Sequence, residues 1–263
     1  MDVRNLFKEN VIAKDNFIVR ANFSSFDNQQ HTNEAFSEKW TAFDKQEDKS
    51  LTDFYNLQYK WYLELYGFKS EADLGNFLKG KVILDAGCGL GYKAAWFAQL
   101  APDAIVIGMD FSEAANIAAK NYKHIKNLYF VRGDIADTGI KENCVDYVSC
   151  DQVIHHTEFP EKTFAHLTSI TKIGGEFACY VYAKKALPRE LLDEHFREFS
   201  KTLSKEQIWE LSEALTVLGK NLSALNVKIQ CPDIPLLDIK GGEYDLQRFI
   251  YWNLSLIHIS EPT

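Results

Sequence analysis

The middle of the chain alternates short apolar runs with helical stretches, and this pattern constrains the fold more than any other feature. Continuous apolar strands that alternate with helices predict a parallel sheet covered on both faces. Right-handed crossovers make such a sheet a doubly wound α/β fold. The predicted strands are Lys81–Asp85, Ala104–Met109, Leu128–Arg132, Cys144–Cys150 and Gly175–Tyr182.

A glycine cluster follows the first predicted strand, where ligands of doubly wound folds bind. The strand runs into Asp85-Ala86-Gly87-Cys88-Gly89-Leu90-Gly91. Alternate glycines let the backbone turn tightly and approach a ligand closely. The spacing is GxGxG and not the dinucleotide pattern GxGxxG, and Asp85 would repel a pyrophosphate but attract a cationic amine. The alternative is a glycine-rich turn without a ligand.

The second and third predicted strands also lead into acids. Asp110 can accept hydrogen bonds from both hydroxyls of a ribose, or it can cap the helix that follows Phe111-Ser112. Asp134 can accept a hydrogen bond from the exocyclic amine of adenine, with Ile135 in apolar contact with the ring. An amine, a ribose and an adenine without phosphate describe S-adenosylmethionine.

Five segments resemble, in order, the motifs of class I S-adenosylmethionine-dependent methyltransferases. They are VILDAGCGLGYKAAWFA, GMDFS, GDIAD, VDYVSCDQVIHHTEFPE and KIGGEF, within residues 80–183. The resemblance implies a Rossmann-like fold with the methionine portion at Asp85 and the Gly87–Gly91 loop, and with Asp151 near the methyl donor. Tyr92-Lys93 stands where the family often has a small hydroxyl residue. The predicted cofactor-binding residues are Asp85, Ala86, Gly87, Cys88, Gly89, Gly91, Asp110, Phe111, Asp134, Ile135 and Asp151.

Two adjacent histidines follow the fourth predicted strand and are the candidate catalytic residues. His155 or His156 could take a proton from a methyl acceptor, because imidazole titrates near neutrality. The alternative is a packing role in the loop. We expect the two side chains to point in different directions, so that one at most is a base. Cys88 is expected to be a small packed side chain, and no cluster has the spacing of metal ligands.

The flanking segments predict a helical cap, a helical insertion and an unusual end. Residues 1–80 form the N-terminal cap, residues 81–183 the S-adenosylmethionine-binding core and residues 184–254 a lid near the acceptor. Leu51–Tyr66 has the periodicity of a helix with an aromatic face, which either packs on the sheet or closes over the cofactor. Residues 255–263, SLIHISEPT, resemble a translated sequencing adapter and predict a non-native tail. The chain is then truncated before the last two strands of the family's sheet.

Composition excludes several classes of protein. The net charge of −8 and the lack of a basic stripe argue against a nucleic-acid partner. No apolar run approaches the roughly 20 residues that span a bilayer, and no signal peptide is visible. Five scattered cysteines without a CxxC pair predict a reduced, cytoplasmic protein.

The sequence therefore predicts an enzyme that transfers a methyl group from S-adenosylmethionine to a small-molecule acceptor by in-line displacement. A non-catalytic module with the cofactor fold, which binds a partner protein, is the first alternative. A nicotinamide-dependent oxidoreductase is the second, although the glycine spacing and Asp85 oppose it.

Overall fold

A computed structural model of the chain divides into two compact units, Met1–Tyr182 and Ala183–Thr263. Among the described residues, no helix has the length and apolar character needed to cross a membrane. The structure describes residues 2–20, 48–182, 187–237 and 240–245.

The first unit contains a seven-stranded sheet of order β1-β2-β5-β4-β3-β6-β7. Every neighbouring pair is parallel except β1 and β2. The chain runs outward from β3 through β4 to β5 and then crosses to β6, so the strand order reverses beside β3. The strands are β1 (Ile12–Lys14), β2 (Phe17–Val19), β3 (Val82–Ala86), β4 (Ile105–Asp110), β5 (Leu128–Arg132), β6 (Val145–Asp151) and β7 (Thr171–Tyr180). This is the doubly wound, mostly parallel sheet that the sequence predicted.

Helices cover both faces of this sheet, and the strand residues alternate between two cores. Ile83 belongs to a cluster with residues of α1 to α4, whereas Leu84 belongs to a cluster with α5 and the N-terminal segment. This alternation follows from the two-residue period of a strand. The helices are α1 (Asp48–Tyr66), α2 (Glu71–Leu78), α3 (Tyr92–Leu100), α4 (Ala114–Asn121) and α5 (Pro160–Ile170).

An N-terminal hairpin extends the sheet where the sequence predicted only a helical cap. β1 and β2 pair antiparallel, and β2 adds in parallel to β5 through Phe17 opposite Phe130 and Ile18 opposite Val131. The backbone N–H of Phe130 also donates to the carbonyl of Asn16 at 2.7 Å. Strands of three residues are too short to display alternation in the sequence, which is why the prediction missed them.

The last strand of this sheet begins earlier than predicted. β7 starts at Thr171 and its register against β6 shifts between Val145 and Tyr147. Ile173 lies in the shifted stretch and is 96% exposed, so this part of the strand lacks the buried apolar character that identifies a strand in the sequence.

Among its described residues, the second unit contains two α-helices, a short 3-10 helix at Pro235–Leu237 and a two-stranded antiparallel sheet. The α-helices and strands are α6 (Leu187–Ser200), α7 (Lys205–Ala224), β8 (Lys228–Cys231) and β9 (Gly242–Asp245). Ser204 and Gln207 form a capping box at the start of α7. The sequence EYDLQRFIYWN, residues 243–253, is typical of the start of a helix, but Glu243, Tyr244 and Asp245 belong to β9, so this predicted helix is wrong at its first residues. Its remainder and the predicted non-native tail lie outside the described residues, and no strand described after β7 joins the seven-stranded sheet.

Gly91 offers a test of how tightly the glycine loop packs on the sheet. Its φ is +78°, and a Cβ there would stand 2.6 Å from the Phe130 ring and 2.8 Å from the Ala118 side chain. We expect Gly91→Ala to lower the free energy of unfolding by about 2–5 kcal/mol, because backbone strain and overpacking add. Urea denaturation measures this loss.

Gly67→Ala is the matched control, because Gly67 has a φ of +75° and a Cβ there would meet no atom within 4 Å. Strain alone should then cost about 1–2 kcal/mol. Equal losses in the two variants would contradict the tight packing of Gly91.

Candidate functional site

The predicted site residues gather at one edge of the sheet, where the carboxyl ends of β3, β4, β5 and β6 meet. Asp85 and Ala86 end β3, Asp110 ends β4 and Asp151 ends β6. Asp134 lies two residues beyond the end of β5. Because these strands are parallel neighbours, residues distant in sequence come to the same edge.

The glycine loop after β3 folds back against two neighbouring strand ends. The N–H groups of Gly87 and Cys88 donate to the carbonyl of Met109, at 2.8 and 3.0 Å. Gly87 has a φ of +77°, and a Cβ there would overlap the side chain of Val153 in the loop after β6. The loop therefore needs glycine at this position, and its backbone is held in place.

Asp110 ties the glycine loop to the start of α4. Its Oδ2 accepts a hydrogen bond from the N–H of Gly89 at 2.8 Å. Its Oδ1 accepts from the N–H and the hydroxyl of Ser112, at 2.9 and 2.6 Å. The sequence allows either a ligand-binding role or a helix-capping role for Asp110. The hydrogen bonds from Ser112 are those expected of the capping role. Phe111 follows, and its carbonyl accepts from Nε of Arg132 at 3.3 Å.

Asp134 and Ile135 lie in the loop after β5. Oδ1 of Asp134 accepts from the N–H of Ala136 at 2.8 Å. Burial raises the pKa of Asp134, and this hydrogen bond opposes the shift. Ile135 is buried in the core shared with α5. The carboxylate and the apolar side chain are thus fixed within one turn.

The N-terminal segment supports this loop, which the sequence did not reveal. The N–H of Lys8 donates to the carbonyl of Gly139, and the N–H of Lys141 donates to the carbonyl of Leu6, both at 2.8 Å. Arg20 donates to the carbonyl of Asp137 at 2.6 Å. Arg20 and Asp137 are 117 residues apart in the chain, so no local sequence pattern predicts their hydrogen bond.

Lys93 joins the two acids that flank the glycine loop. Its ammonium lies 2.5 Å from Oδ2 of Asp151 and 3.1 Å from Oδ1 of Asp85. Burial raises the pKa of Asp85 to about 6, and the charge of Lys93 opposes the shift. Burial alone lowers the pKa of Lys93, but the two carboxylates raise it well above its ordinary value. We call Asp85, Lys93 and Asp151 the acid–lysine cluster.

Two tyrosines of α1 complete the surroundings of this cluster. The hydroxyl of Tyr66 donates to Oδ1 of Asp151. The hydroxyl of Tyr62 hydrogen-bonds with that of Tyr147 and donates to Ser149 at 3.2 Å. Tyr62 is buried in the core, so one helix both packs on the sheet and reaches the site.

The candidate catalytic histidines lie in a short 3-10 helix, Ile154–His156, directly after β6. Their ring centroids are 4.0 Å apart, and His155 lies 4.2 Å from the Tyr182 ring. The expectation that the two side chains point in different directions is therefore wrong, because both rings pack in one aromatic group. Gln152, just before them, has a positive φ of 60°, which is a strained conformation for a residue other than glycine.

Cys88 is buried, and burial raises the pKa of its thiol well above the ordinary value. This agrees with a small packed side chain. Among the described residues, no group of three or more His, Cys, Asp or Glu side chains is arranged to hold a metal ion.

Comparisons with known proteins identify the family of the chain. The family described as Methyltransferase domain matches residues 77–234. A sterol 24-C-methyltransferase of Saccharomyces cerevisiae is 30% identical over 106 residues, which are 39% of this chain and 27% of that protein. A demethylmenaquinone methyltransferase of Symbiobacterium thermophilum is 31% identical over 116 residues, 41% of this chain and 45% of that protein. The chain thus spans less than half the length of either relative.

Solved structures with a similar fold include the magnesium protoporphyrin IX methyltransferase of Synechocystis PCC 6803, which contains bound S-adenosylhomocysteine. It is 22% identical, with a TM-score of 0.47, over 64% of this chain and 77% of that one. Since the family match at residues 77–234 covers more than half of the sequence, the chain belongs to the methyltransferase-domain family.

Proposed function

We propose that the chain is an S-adenosylmethionine-dependent methyltransferase acting on a small molecule. The observation that carries the proposal is the linkage of the glycine loop to Asp110 through the N–H of Gly89. This hydrogen bond holds the glycine loop, whose backbone a ligand can approach closely, next to Asp110, the carboxylate proposed to accept from the ribose hydroxyls. Both lie at the point where the strand order reverses. Membership in the methyltransferase-domain family supports the same function.

The residues present fit this cofactor. The buried Asp85 carboxylate accepts no well-aligned hydrogen bond from the described residues, and Gly87, where a Cβ would overlap Val153, keeps the loop backbone in place beside it. Asp85 and the Gly87–Gly91 loop would hold the methionine portion, Asp110 the ribose, and Asp134 with Ile135 the adenine. When bound, the cofactor supplies a methyl group already activated on a sulfonium.

The protein's own contribution is then mainly alignment and the handling of a proton. Asp151 ends β6 beside the glycine loop, and the hydrogen bond from Tyr66 fixes its carboxylate. Alignment of the acceptor lowers the barrier of an in-line displacement. His155 or His156 would accept the proton of a hydroxyl or amine acceptor.

A small-molecule acceptor fits both the relatives and the charge. The curated relatives include sterol and demethylmenaquinone methyltransferases and a ubiquinone biosynthesis O-methyltransferase of Coxiella burnetii. The net charge of −8 disfavours a nucleic acid. The five cysteines are free thiols, which suits a cytoplasmic protein. The predicted lid, residues 184–254, includes α6 and α7.

Cofactor binding tests the proposal by calorimetry. S-adenosylhomocysteine should bind the purified protein, whereas NAD should not. We expect Asp110→Ala to weaken S-adenosylhomocysteine binding by at least about tenfold, since a charge-assisted hydrogen bond to the ribose is lost.

Asp146→Ala is the matched control, because Asp146 pairs with Lys172 near the start of β6. This is the end of the strand away from Asp151 and the glycine loop. Its affinity for S-adenosylhomocysteine should equal that of the wild type. Binding of NAD alone would favour an oxidoreductase, and binding of neither ligand would favour a non-catalytic module.

The histidines offer a separate test of proton transfer. With the acceptor found by a labelled-methyl screen, His155→Ala or His156→Ala should lower kcat by about a hundredfold or more if that imidazole is the base. The affinity for S-adenosylhomocysteine should stay unchanged. Full turnover in both variants would assign the pair to packing against Tyr182.

A further inference from the structure

The acid–lysine cluster contains the Lys93 ammonium at the position where the ammonium group of the proposed cofactor would bind. The side chains of Asp85, Lys93 and Asp151 are 0%, 12% and 6% exposed. Two buried carboxylates attract a cation strongly in a medium of low dielectric constant. In this structure that cation is the ammonium of Lys93.

Both carboxylate oxygens of Asp151 already accept hydrogen bonds. Oδ1 accepts from Tyr66, and Oδ2 accepts from Lys93 at 2.5 Å and from Ser149 at 3.2 Å. Asp85 contacts only Lys93 among the described residues that could pair with it. A second ammonium reaching this pair of acids would meet an existing positive charge.

Lys93 is also the member of the cluster best able to leave. It is the second residue of α3, so its charge lies at the helix N-terminus, where the helix dipole disfavours a cation. Its flexible four-carbon stem permits other positions of the ammonium. Tyr66 and Ser149 carry no charge, so their presence does not oppose a ligand cation.

We propose that Lys93 competes with the α-ammonium of the cofactor for Asp85 and Asp151, and that binding of the cofactor displaces it. This rests on the proposed function. Lys93 is then a residue that sets affinity for ligands with an amino acid group, and it leaves affinity for the nucleoside portion unchanged.

Two ligands distinguish the effect of Lys93 on the amino acid group from its effect on the nucleoside portion. S-adenosylhomocysteine carries the amino acid group, and 5′-methylthioadenosine is the matching nucleoside thioether without it. In Lys93→Met, calorimetry should give about tenfold tighter binding of S-adenosylhomocysteine, because no ion pair must be broken. Binding of 5′-methylthioadenosine should equal that of the wild type.

Lys93→Gln guards against misfolding, since glutamine can donate to both carboxylates without a charge. It should show the same direction of change. Thermal unfolding gives a second readout. Without ligand, Lys93→Met should melt below the wild type, and S-adenosylhomocysteine should raise its Tm by more, since the ligand ammonium replaces the missing cation.

Lys172→Met is the matched control, because Lys172 pairs with Asp146 away from the site, at 2.8 Å. It should leave both affinities unchanged. Weaker binding of S-adenosylhomocysteine in the Lys93 variants would mean that Lys93 holds the ligand carboxylate, and unchanged binding would mean that it does not meet the ligand. Either result overturns the proposal. If the wild type binds neither ligand, the proposed function itself fails.

Discussion

The parallel pairing of β3 with β4 on one side and β6 on the other is the constraint on which the site depends. Asp85 lies opposite Gly108 in one neighbour and Ser149 in the other. Since all three strands point the same way, their carboxyl ends share one edge, and the loops that leave them must pack against each other. The contact of Gly87 with Val153 and the hydrogen bond from Gly89 to Asp110 are both products of this arrangement.

The same edge is assembled from segments that are far apart in the chain. Helix α1 contributes Tyr66 to Asp151, and the N-terminal segment holds the loop after Asp134 through Arg20. Neither contact follows from the pairing of the strands. Both depend instead on packing: α1 buries Tyr62 in the core on one face of the sheet, and residues before β1 are buried on the other. The two cores therefore also fix polar groups at the site.

The sequence predicted the parts of this architecture that repeat a local pattern. Apolar runs identified β3 to β6 to within about two residues of their ends, and the glycine spacing identified the loop. The hairpin was missed because three-residue strands carry no period. The role of Lys93 was missed because its partner Asp151 is 58 residues away and the ion pair exists only after β3 and β6 align. The orientation of His155 toward Tyr182 depends in the same way on the end of β7.

Phe130 connects three otherwise separate features. Its backbone joins the hairpin to β5, and its ring fills the space beside Gly91 and beside Gly108, at 2.6 and 2.8 Å from a Cβ at either position. The size of one aromatic ring therefore determines which residues the loop and the neighbouring strand can accept. In evolutionary terms, a smaller side chain at position 130 would relax the requirement for glycine at position 108, so these two positions should change together among relatives. Glycine at position 91 would still be required by its φ of +78° and by the Ala118 side chain, 2.8 Å from a Cβ there.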